Sequence, residues 1–406
     1  MKRNFPDWLT AYAEYAQDAF CPEKFHFWTG VSTVAGALER RVWTHRETFN
    51  LYPNIYVLMV ARPGMGKSSA TNIGMNEFLR RLSDGNDGIN FIGTQNSEAS
   101  FIEQMSRYKV FHIGGQPYSH SSGFLYASEA SNSLKEMVGG GTILSALTEF
   151  YDCPAHWKKV LMSGATSMDN VCCNVLAGCT FSFLRELVPE AQSAGGFASR
   201  LLYVIQDEVT VRSPKWRNVG RSLAVRDRLF ADLEQIFSLA GPFDPLPEFT
   251  EAYEEWFPQQ DAYVQTLASE RLQHFLARKH TNILKLAMIC SVSESNSLTL
   301  TRAHWERALS LMDSVEVDLP KIVNHSVDTK TQKGLNYLVL KALADEGEDG
   351  VLDKSDLLRI LGMRGAEVSK IEHTLKFMHD SRMIRLEIGG VGKFRCRLLV
   401  DTKDYL

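Results

Sequence analysis

The chain contains 406 residues, of which 44% are hydrophobic and 23% are charged, and its formal net charge at pH 7 is −4. This composition is ordinary for a globular protein and leaves ample chain for a large core and for two or three domains. Because the charge balance is slightly acidic, an overall positive field is excluded, and any nucleic-acid site must be a local patch or channel.

The cysteines and the apolar segments exclude further classes of protein. The seven cysteines form no Cys-x-x-Cys pair and no Cys/His spacing that suits zinc, which indicates buried thiols in a reducing compartment. Residues 1–7 carry positive charge but no apolar stretch follows them, and no uninterrupted apolar span is long enough for a membrane helix. We therefore expect a cytoplasmic protein without a membrane partner.

Residues 1–50 are predicted to form an amino-terminal helical region. Trp8, Tyr12 and Tyr15 recur at helical spacing, and a second run with this periodicity covers residues 25–42. Two interpretations remain open for these helices. Either they form a layer or collar ahead of the following domain, or they pack directly against its sheet.

The next segment contains the most specific motif of the chain. Residues 54–60 are an apolar run that predicts a strand, and residues 61–68 (Ala-Arg-Pro-Gly-Met-Gly-Lys-Ser) predict a glycine-containing turn that leads into a helix. This order matches a nucleotide-binding P-loop. Ala61 stands at the first position of the motif, where glycine is commoner, and Pro63 stiffens the loop. A purely structural turn is the alternative.

The residue types of this loop suit the binding of a polyphosphate. Backbone N–H groups and the positive end of the helix dipole attract phosphate oxygens, Lys67 reaches the β- and γ-phosphates, and the hydroxyl of Ser68 is a ligand for Mg²⁺. We therefore predict ATP and Mg²⁺ as cofactors and Lys67 as a catalytic residue. The predicted nucleotide-binding residues of the loop are Gly64, Met65, Gly66, Lys67, Ser68 and Ser69.

Residues 51–210 are predicted to form an α/β domain around a parallel sheet. Short apolar runs alternate with helical ones in this part of the chain, which is typical of strands joined by helical crossovers. The predicted strands cover residues 54–60, 89–92, 123–127, 171–176 and 201–205. Five parallel strands, with the glycine loop after an early one, are typical of P-loop ATPases.

A P-loop requires an acidic element at the end of a neighbouring strand, which holds Mg²⁺ through water and activates the attacking water. Ser128 and Glu129 follow the third predicted strand. We predict that Glu129 is the catalytic base and that Ser128, where many such ATPases have Asp, holds the metal through its hydroxyl or a water. A charge at a helix amino terminus is the alternative for Glu129. Glu149 with Asp152, on a helical run, is a lesser candidate for the acidic element.

Two further polar groups are predicted to act on the terminal phosphate. Thr180, or the nearby Ser182, follows the fourth strand and is predicted to orient the attacking water, with a plain strand end as the alternative. Arg200 follows two glycines and immediately precedes the fifth strand, a position from which an arginine finger reaches the nucleotide of a neighbouring subunit. Arg185 is the second candidate for this role, and a surface arginine with a local partner is the alternative.

Residues 154–166 are predicted to form a hairpin that is inserted before the fourth strand, with a turn at Ser163-Gly164. Its basic side chains are suited to the phosphates of single-stranded DNA, and the aromatic ring of Trp157 is suited to stacking on a base. A solvated pair of lysines is the alternative. The predicted nucleic-acid contacts are His156, Lys158 and Lys159.

The remaining chain is predicted to form a helical lid over residues 211–327 and a winged-helix-like domain over residues 328–406. Arg278 and Lys279 on the lid are candidates for sensing the nucleotide, with a solvated helix face as the alternative. Three short helices and a hairpin with a glycine turn are typical of a winged helix. Both DNA binding and protein docking remain open for this domain. Its basic candidates are Lys370, His373, Lys376, Lys393, Arg395 and Arg397.

Several of these segments together resemble a family of phage and plasmid P-loop ATPases that are often linked to primases. The segments are Tyr52-Pro53-Asn54, the P-loop, Ser128-Glu129, Leu176-Ala177-Gly178 and Gly196-Phe197-Ala198-Ser199-Arg200. Their order is also similar to that of superfamily 3 and other AAA+ replicative helicases, in which a hairpin before the sensor strand grips single-stranded DNA in the channel of a hexamer. The resemblance covers residues 25–315.

The resemblance implies an AAA+/RecA-like fold and a role for several residues. The implied roles are ATP and Mg²⁺ binding for Lys67 and Ser68, general base for Glu129, action on the neighbouring subunit for Arg200, and DNA contact for Lys158 and Lys159. Ser128 departs from the family pattern at the position that holds the metal.

We therefore expect an ATP-dependent DNA helicase or translocase of phage or mobile-element replication, working as a homo-hexameric ring on single-stranded DNA in the host cytoplasm. Its expected partners are primase or other replisome proteins. Two alternatives remain open. The first is a helicase loader or initiator ATPase, and the second is a DNA-binding regulator whose assembly is switched by nucleotide.

Overall fold

The structure is a computed structural model. It describes residues 2–17, 21–46, 48–83, 88–93, 97–128, 142–161, 164–184, 196–206, 222–267, 270–319, 332–347, 350–380, 383–388 and 394–399. The chain divides into two compact units, Met1–Pro320 and Lys321–Leu406. Within the described residues, no helix is long and apolar enough to cross a membrane.

The first unit begins with two helices; the second packs directly on the sheet, and the first packs on the second. Helix α1 covers Trp8–Ala16, helix α2 covers Glu23–Leu38, and strands β1 (Val42–Arg46) and β2 (Phe49–Leu51) form an antiparallel pair behind them. A Cβ atom placed on Gly36 of α2 would lie only 2.7 Å from the ring of Phe124 in the sheet. Of the two interpretations of these helices, direct packing against the sheet is therefore the one found.

The central sheet has six strands, five of which are parallel. They are β3 (Tyr56–Ala61), β4 (Phe91–Ile92), β5 (Lys109–Ile113), β6 (Gln116–Ala127), β9 (Val171–Cys179) and β10 (Leu201–Gln206), and the strands of the intervening hairpin are β7 (His156–Leu161) and β8 (Gly164–Asp169). The order is β10-β3-β9-β6-β4, with β5 antiparallel to the first part of β6. The predicted parallel α/β core is confirmed.

Parallel strands give the sheet two chemically different edges. We call the edge at the ends of β3, β6, β9 and β10 the carboxyl edge, and the edge at their beginnings the amino edge. The register pairs Tyr56 with Leu201 at the amino edge and Ala61 with Gln206 at the carboxyl edge. From Tyr56 to Ala61 the backbone rises about 17 Å, so groups at opposite edges are well separated.

Helices cover the sheet. Helix α3 (Lys67–Asn72) continues without a break through a π-helical turn (Ile73–Phe78) and a 3-10 turn (Leu79–Ser83). The other helices of this part are α4 (Glu98–Met105), α5 (Thr142–Tyr151) and a 3-10 turn, Ala198–Arg200. The rings of Trp8 and Tyr12 stack, and the ring of Phe78 meets both of them edge to face, which joins α1 to the helical run that follows the glycine loop.

A second group of helices completes the first unit. They are α6 (Leu223–Phe237), α7 (Pro247–Thr266), α8 (Glu270–Leu276), α9 (Lys279–Glu294) and α10 (Arg302–Glu316), with short strands β11 (Gly241–Pro242), β12 (Asp244–Pro245) and β13 (Thr299–Leu300). Helix α6 packs on α1 and α2, and the indole nitrogen of Trp8 donates to the carbonyl of Leu229 at 2.9 Å. Helix α8 packs on the 3-10 turn before β10, at the amino edge.

The second unit has its own hydrophobic core around Leu338, Leu357 and Leu375. Its elements are α11 (Gln332–Glu346), β14 (Val351–Asp353), α12 (Lys354–Met363), α13 (Val368–Asp380), β15 (Ile384–Ile388) and β16 (Phe394–Leu398). The strands form an antiparallel sheet in the order β14-β16-β15. The three helices and the terminal strand pair follow one another in the predicted order, and β14 is an additional strand that the sequence reasoning missed.

Candidate functional site

The loop between β3 and α3 has the backbone that its glycines predict. Gly64 and Gly66 have φ angles of 78° and 74°, values that strain residues with a side chain. Gly66 is the N-cap of α3, and no side chain caps the first turn of this helix. A Cβ atom on Gly64 would have no neighbour within 4 Å, so the space beside the loop is open. Such a helix start attracts anions.

Lys67 lies where the loop, β3 and β9 meet. Its side chain is only 7% exposed, and its Nζ donates to the carbonyls of Ala61 at 2.9 Å and Arg62 at 3.1 Å. Burial raises the pKa of the Cys179 thiol to about 12, and the nearby positive charge of Lys67 acts in the opposite direction. The ammonium is therefore held at the carboxyl edge, folded back over its own loop.

The other predicted nucleotide ligands of the loop differ in exposure. Ser68 is half-buried and Ser69 is exposed, so both hydroxyls are accessible to some degree. The side chain of Met65 is buried in the core, which leaves only its backbone for a ligand. Thr71 returns a hydrogen bond to the carbonyl of Lys67 at 3.2 Å, inside the first turns of α3.

The ends of β6 and β9 approach Lys67 through Gly178. A Cβ atom on Gly178 would lie 2.7 Å from the carbonyl oxygen of Ser128 and 3.6 Å from the Cβ of Lys67. Because β9 lies between β3 and β6 in the sheet, only a residue without a side chain lets these three segments meet. Ser128, the predicted metal ligand, is thus beside Lys67. Glu129, the predicted base, lies outside the described residues.

Tyr126 connects β6 with the helix that follows the loop. Its hydroxyl donates to Asn72 Oδ1 at 3.0 Å and forms a hydrogen bond with Thr71 Oγ1 at 3.0 Å. Burial raises the pKa of Tyr126, and hydrogen bonds with Thr71 and Ser128 oppose this rise. The hydroxyl of Ser128 is therefore within reach of the same small polar cluster.

Replacing Gly178 by alanine is expected to lower the free energy of unfolding by about 1–3 kcal/mol, because a methyl group has no room against the Ser128 carbonyl. Urea denaturation followed by circular dichroism measures the change. Gly362→Ala in α12 is the matched control, since a Cβ atom there would have no neighbour within 4 Å. Equal stability of the two variants would contradict the predicted close contact.

Thr180 follows β9 at the carboxyl edge, as predicted. Its Oγ1 accepts a hydrogen bond from the backbone N–H of Phe183 at 3.3 Å, and its carbonyl accepts from Leu184 N at 3.0 Å. The hydroxyl therefore caps a short helical turn and keeps its own hydrogen to donate. Ser182, the second candidate, is exposed on this turn.

Arg200 lies at the amino edge, opposite Lys67. Its side chain is 7% exposed, and it forms an ion pair of 2.8 Å with Asp152 through Nη2, while Nη1 donates to the carbonyl of Gly196 at 3.2 Å. The alternative was a surface arginine with a local partner. Arg200 does have a partner in its own chain, but its side chain is buried and does not lie at the surface. Arg185, the second candidate, lies outside the described residues.

The two cations of the predicted lid, Arg278 and Lys279, also form ion pairs. Arg278 forms an ion pair of 3.3 Å with Asp152, so it lies at the amino edge beside Arg200. Burial lowers the pKa of Lys279, but hydrogen bonds with Asp313 and Glu316 outweigh this effect, so the pKa is raised overall. Arg278 is thus at the edge opposite the glycine loop of its own chain, and its role in sensing a nucleotide stays a prediction.

The lesser candidates for the acidic element are at this same amino edge. Glu149 accepts a hydrogen bond of 2.5 Å from the indole nitrogen of Trp157, and Asp152 pairs with the two arginines. Neither carboxylate is near Lys67, so the interpretation of this pair as the metal-holding element is wrong.

The predicted hairpin is present as β7 and β8, with its turn residues 162–163 outside the described residues. Its root is at the amino edge, where Asn170 N donates to the carbonyl of Ala155 at 2.7 Å. Arg40, which is buried, donates through Nη1 to the carbonyls of Cys153 and Val171, each at 2.6 Å. One side chain thus holds both ends of the hairpin.

The side chains of the hairpin divide between two faces, as the alternation of a strand requires. His156 and Lys158 are exposed, and His156 pairs with Asp169 at 2.7 Å. Lys159 is partly buried and forms an ion pair with Glu98 of α4. Trp157 is only 8% exposed. The interpretation of its ring as a platform for a base is therefore wrong.

Several basic candidates of the second unit have acidic partners. Arg395 pairs with Asp353 at 3.1 Å and Arg397 with Glu387 at 3.3 Å. Lys370 pairs with Glu367 at 3.3 Å. His373 and Lys376 are exposed on α13, and Lys393 lies outside the described residues.

Sequence reasoning missed the contributions of Arg40 and Tyr126 to these sites, and it named Asp152 only as a candidate for the acidic element. Each acts through a partner that is far away in the chain, and the signals in the sequence are weak. The consecutive Arg40-Arg41 pair directly after a helix is the clearest of them. No protein-family model matches the chain, and no curated protein matches it at a level that indicates kinship.

Proposed function

We propose that the protein is an ATP-dependent DNA helicase or translocase that acts as a ring, possessing one nucleotide site per subunit, on single-stranded DNA during phage or mobile-element replication. The observation that carries this proposal is the meeting of the glycine loop, the buried Lys67 ammonium and the ends of β6 and β9 at one edge of a parallel sheet. In open α/β sheets, ligands bind outside the carboxyl ends of the strands.

The loop supplies the groups that ATP requires. The uncapped first turn of α3 offers N–H groups to phosphate oxygens. With ATP bound, the ammonium of Lys67 would leave the carbonyls of Ala61 and Arg62 and would donate to the β- and γ-phosphates. Ser68 and Ser128 are oxygen donors of the kind that Mg²⁺ prefers, and they would hold the ion together with phosphate oxygens and water. Glu129 is the proposed base.

The position of Arg200 supports the proposed oligomer. Because Arg200 and Lys67 of one chain lie at opposite edges of the sheet, Arg200 can reach only the nucleotide of another copy. There it stabilises the charge that develops during phosphoryl transfer. A homo-hexamer is the proposed state, in agreement with the family that the sequence resembles.

Lys158 is the proposed main contact to DNA on the hairpin. It is exposed, whereas Lys159 must first leave Glu98 and His156 must leave Asp169. Hydrolysis at the interface between subunits would move the hairpin along one strand. Primase or other replisome proteins are the proposed partners.

The test is steady-state ATP hydrolysis with and without single-stranded DNA. We expect DNA to stimulate hydrolysis and Lys158→Ala to weaken this stimulation, because the variant lacks the ammonium that binds a DNA phosphate. The logarithmic slope of DNA affinity against salt concentration should fall by about 0.7 for each phosphate that the protein no longer neutralises. Lys2→Ala, which removes an exposed lysine elsewhere, is the charge-matched control. Hydrolysis that DNA leaves unchanged would contradict the motor.

A second candidate is a DNA-binding regulator that nucleotide switches. The order of helices and strands in the second unit favours it, because that order is the one expected of a winged helix. For this function, DNA binding would survive Lys158→Ala, and ATP binding without turnover would be sufficient. A protein that hydrolyses ATP but does not unwind a forked duplex by itself would instead be a helicase loader.

A further inference from the structure

Three charged side chains form an ion bridge at the amino edge, which we call the arginine bridge: Arg200, Asp152 and Arg278. Arg200 Nη2 lies 2.8 Å from Asp152 Oδ2, and Arg278 Nη1 lies 3.3 Å from Asp152 Oδ1. Each oxygen of one carboxylate therefore receives a different guanidinium group. The two arginines come from distant parts of the chain and converge on a single anion.

The bridge is fixed at its inner end and open at its outer end. The side chain of Arg200 is 7% exposed, and its Nε is buried and has no hydrogen-bond partner among the described residues. The side chains of Arg278 and Asp152 are 33% and 54% exposed. An anion from outside can therefore approach the two guanidinium groups where Asp152 now contacts them.

The charges of the bridge do not balance. Two guanidinium groups face one carboxylate, so the bridge carries one excess positive charge. Guanidinium groups bind phosphate with the same planar fork geometry that they use for carboxylate. A phosphate, with more charge and more oxygens than a carboxylate, is thus the kind of anion that would displace Asp152.

We propose that Arg278 joins Arg200 as a second cation for the terminal phosphate of ATP bound to a neighbouring copy, and that Asp152 is a positioning residue that holds the two arginines together before that phosphate arrives. This inference rests on the proposed function. Asp152 lies four residues before His156, the first residue of β7, so the exchange of anions occurs next to the root of the DNA-binding hairpin.

The first test is Arg278→Gln, measured by the turnover number for ATP hydrolysis. Removing a cation that touches the transition state is expected to lower the turnover number by about 10²-fold. Arg302→Gln is the matched control, because Arg302 is an exposed arginine with an ion pair of 3.1 Å to Glu306, away from the bridge. Unchanged turnover in Arg278→Gln would overturn the inference.

Mixed oligomers test whether Arg278 acts between subunits. Arg278→Gln subunits keep a working loop, and Lys67→Ala subunits keep the arginine bridge, so an equal mixture should regain activity that neither has alone. With random pairing in a head-to-tail ring, about a quarter of the interfaces are complete. No recovery on mixing would overturn the action on a neighbour. If Arg278→Gln fails to fold, Arg278→Met, which also removes the positive charge and keeps an unbranched side chain, replaces it.

Asp152 is tested by the separation of turnover from ATP affinity. Asp152→Asn should lower the turnover number and leave KM for ATP unchanged, because ATP is held by the loop of another copy, and Asp152→Glu should restore most of the turnover. If Asp152 had a purely structural role, its variants would lose thermal stability in parallel with activity. That result would overturn the proposal that Asp152 positions the two arginines. Wild-type protein without any ATP hydrolysis would refute the proposed function itself, whereas an active wild type with unaffected bridge variants refutes only this inference.

Discussion

Replacing Lys67 by alanine is expected to reduce ATP hydrolysis by at least about 10²-fold, because the variant lacks the ammonium held against the end of β9 where the γ-phosphate would lie. The fold should survive, since the hydrogen bonds of Lys67 Nζ to Ala61 and Arg62 go to backbone carbonyls of its own loop.

The measurement is the initial rate of phosphate release at saturating ATP. Two neighbouring serines provide a matched pair of controls: Ser68→Ala should also lose activity, because its hydroxyl is the proposed metal ligand, whereas the exposed Ser69→Ala should keep it. If Lys67→Ala hydrolyses ATP at the wild-type rate, the loop is a structural turn, and the proposed nucleotide site is refuted.

Replacing Arg40 by leucine is expected to lower the free energy of unfolding of the first unit by about 3 kcal/mol, because buried carbonyls lose hydrogen bonds to a charged donor. Cys153 and Val171 would each keep an unsatisfied carbonyl oxygen at the two ends of the hairpin. The cation also lies 4.2 Å from the ring centre of Tyr52, an interaction that leucine replaces only in part.

Guanidinium chloride denaturation followed by tryptophan fluorescence gives this change in stability. The stability of Arg40→Lys should fall between that of the wild type and that of Arg40→Leu, since an ammonium keeps the charge but cannot reach two carbonyls with one planar group. Arg226→Leu on α6 is the control, because the ion pair of Arg226 with the exposed Asp227 is at the surface and its removal should cost less than about 0.5 kcal/mol. A stability of Arg40→Leu equal to that of this control would contradict the role of Arg40.

The sequence was sufficient for the parallel core because the strands β3, β9 and β10 are buried on both faces and appear as continuous apolar runs. It was not sufficient for β5 and the first part of β6, which are mostly exposed or half-buried and depend on each other for pairing. Helix α6 lies within the predicted helical segment, but its few buried residues gave no indication that it packs on α1 and α2.

The candidate site also has parts that the sequence predicted and parts that it did not. The glycine loop is a local motif, so its backbone conformation followed from its residues. The neighbours of Arg200 could not be predicted from its residues, because the ion pair with Asp152 joins positions 48 residues apart and depends on the packing of α5 against β9. Trp157 shows a signal that was available: its inward position follows from alternation with the exposed His156 and Lys158.

The opposite placement of Lys67 and Arg200 on the sheet has a consequence for symmetry. If the amino edge of one copy meets the carboxyl edge of the next through two separate surfaces, the interface is head-to-tail, and it generates either a closed ring or an open row of copies. Any open row of copies leaves one loop without a neighbouring arginine. For the proposed motor, the activity per subunit should therefore rise with protein concentration and reach its limit only when the row closes on itself.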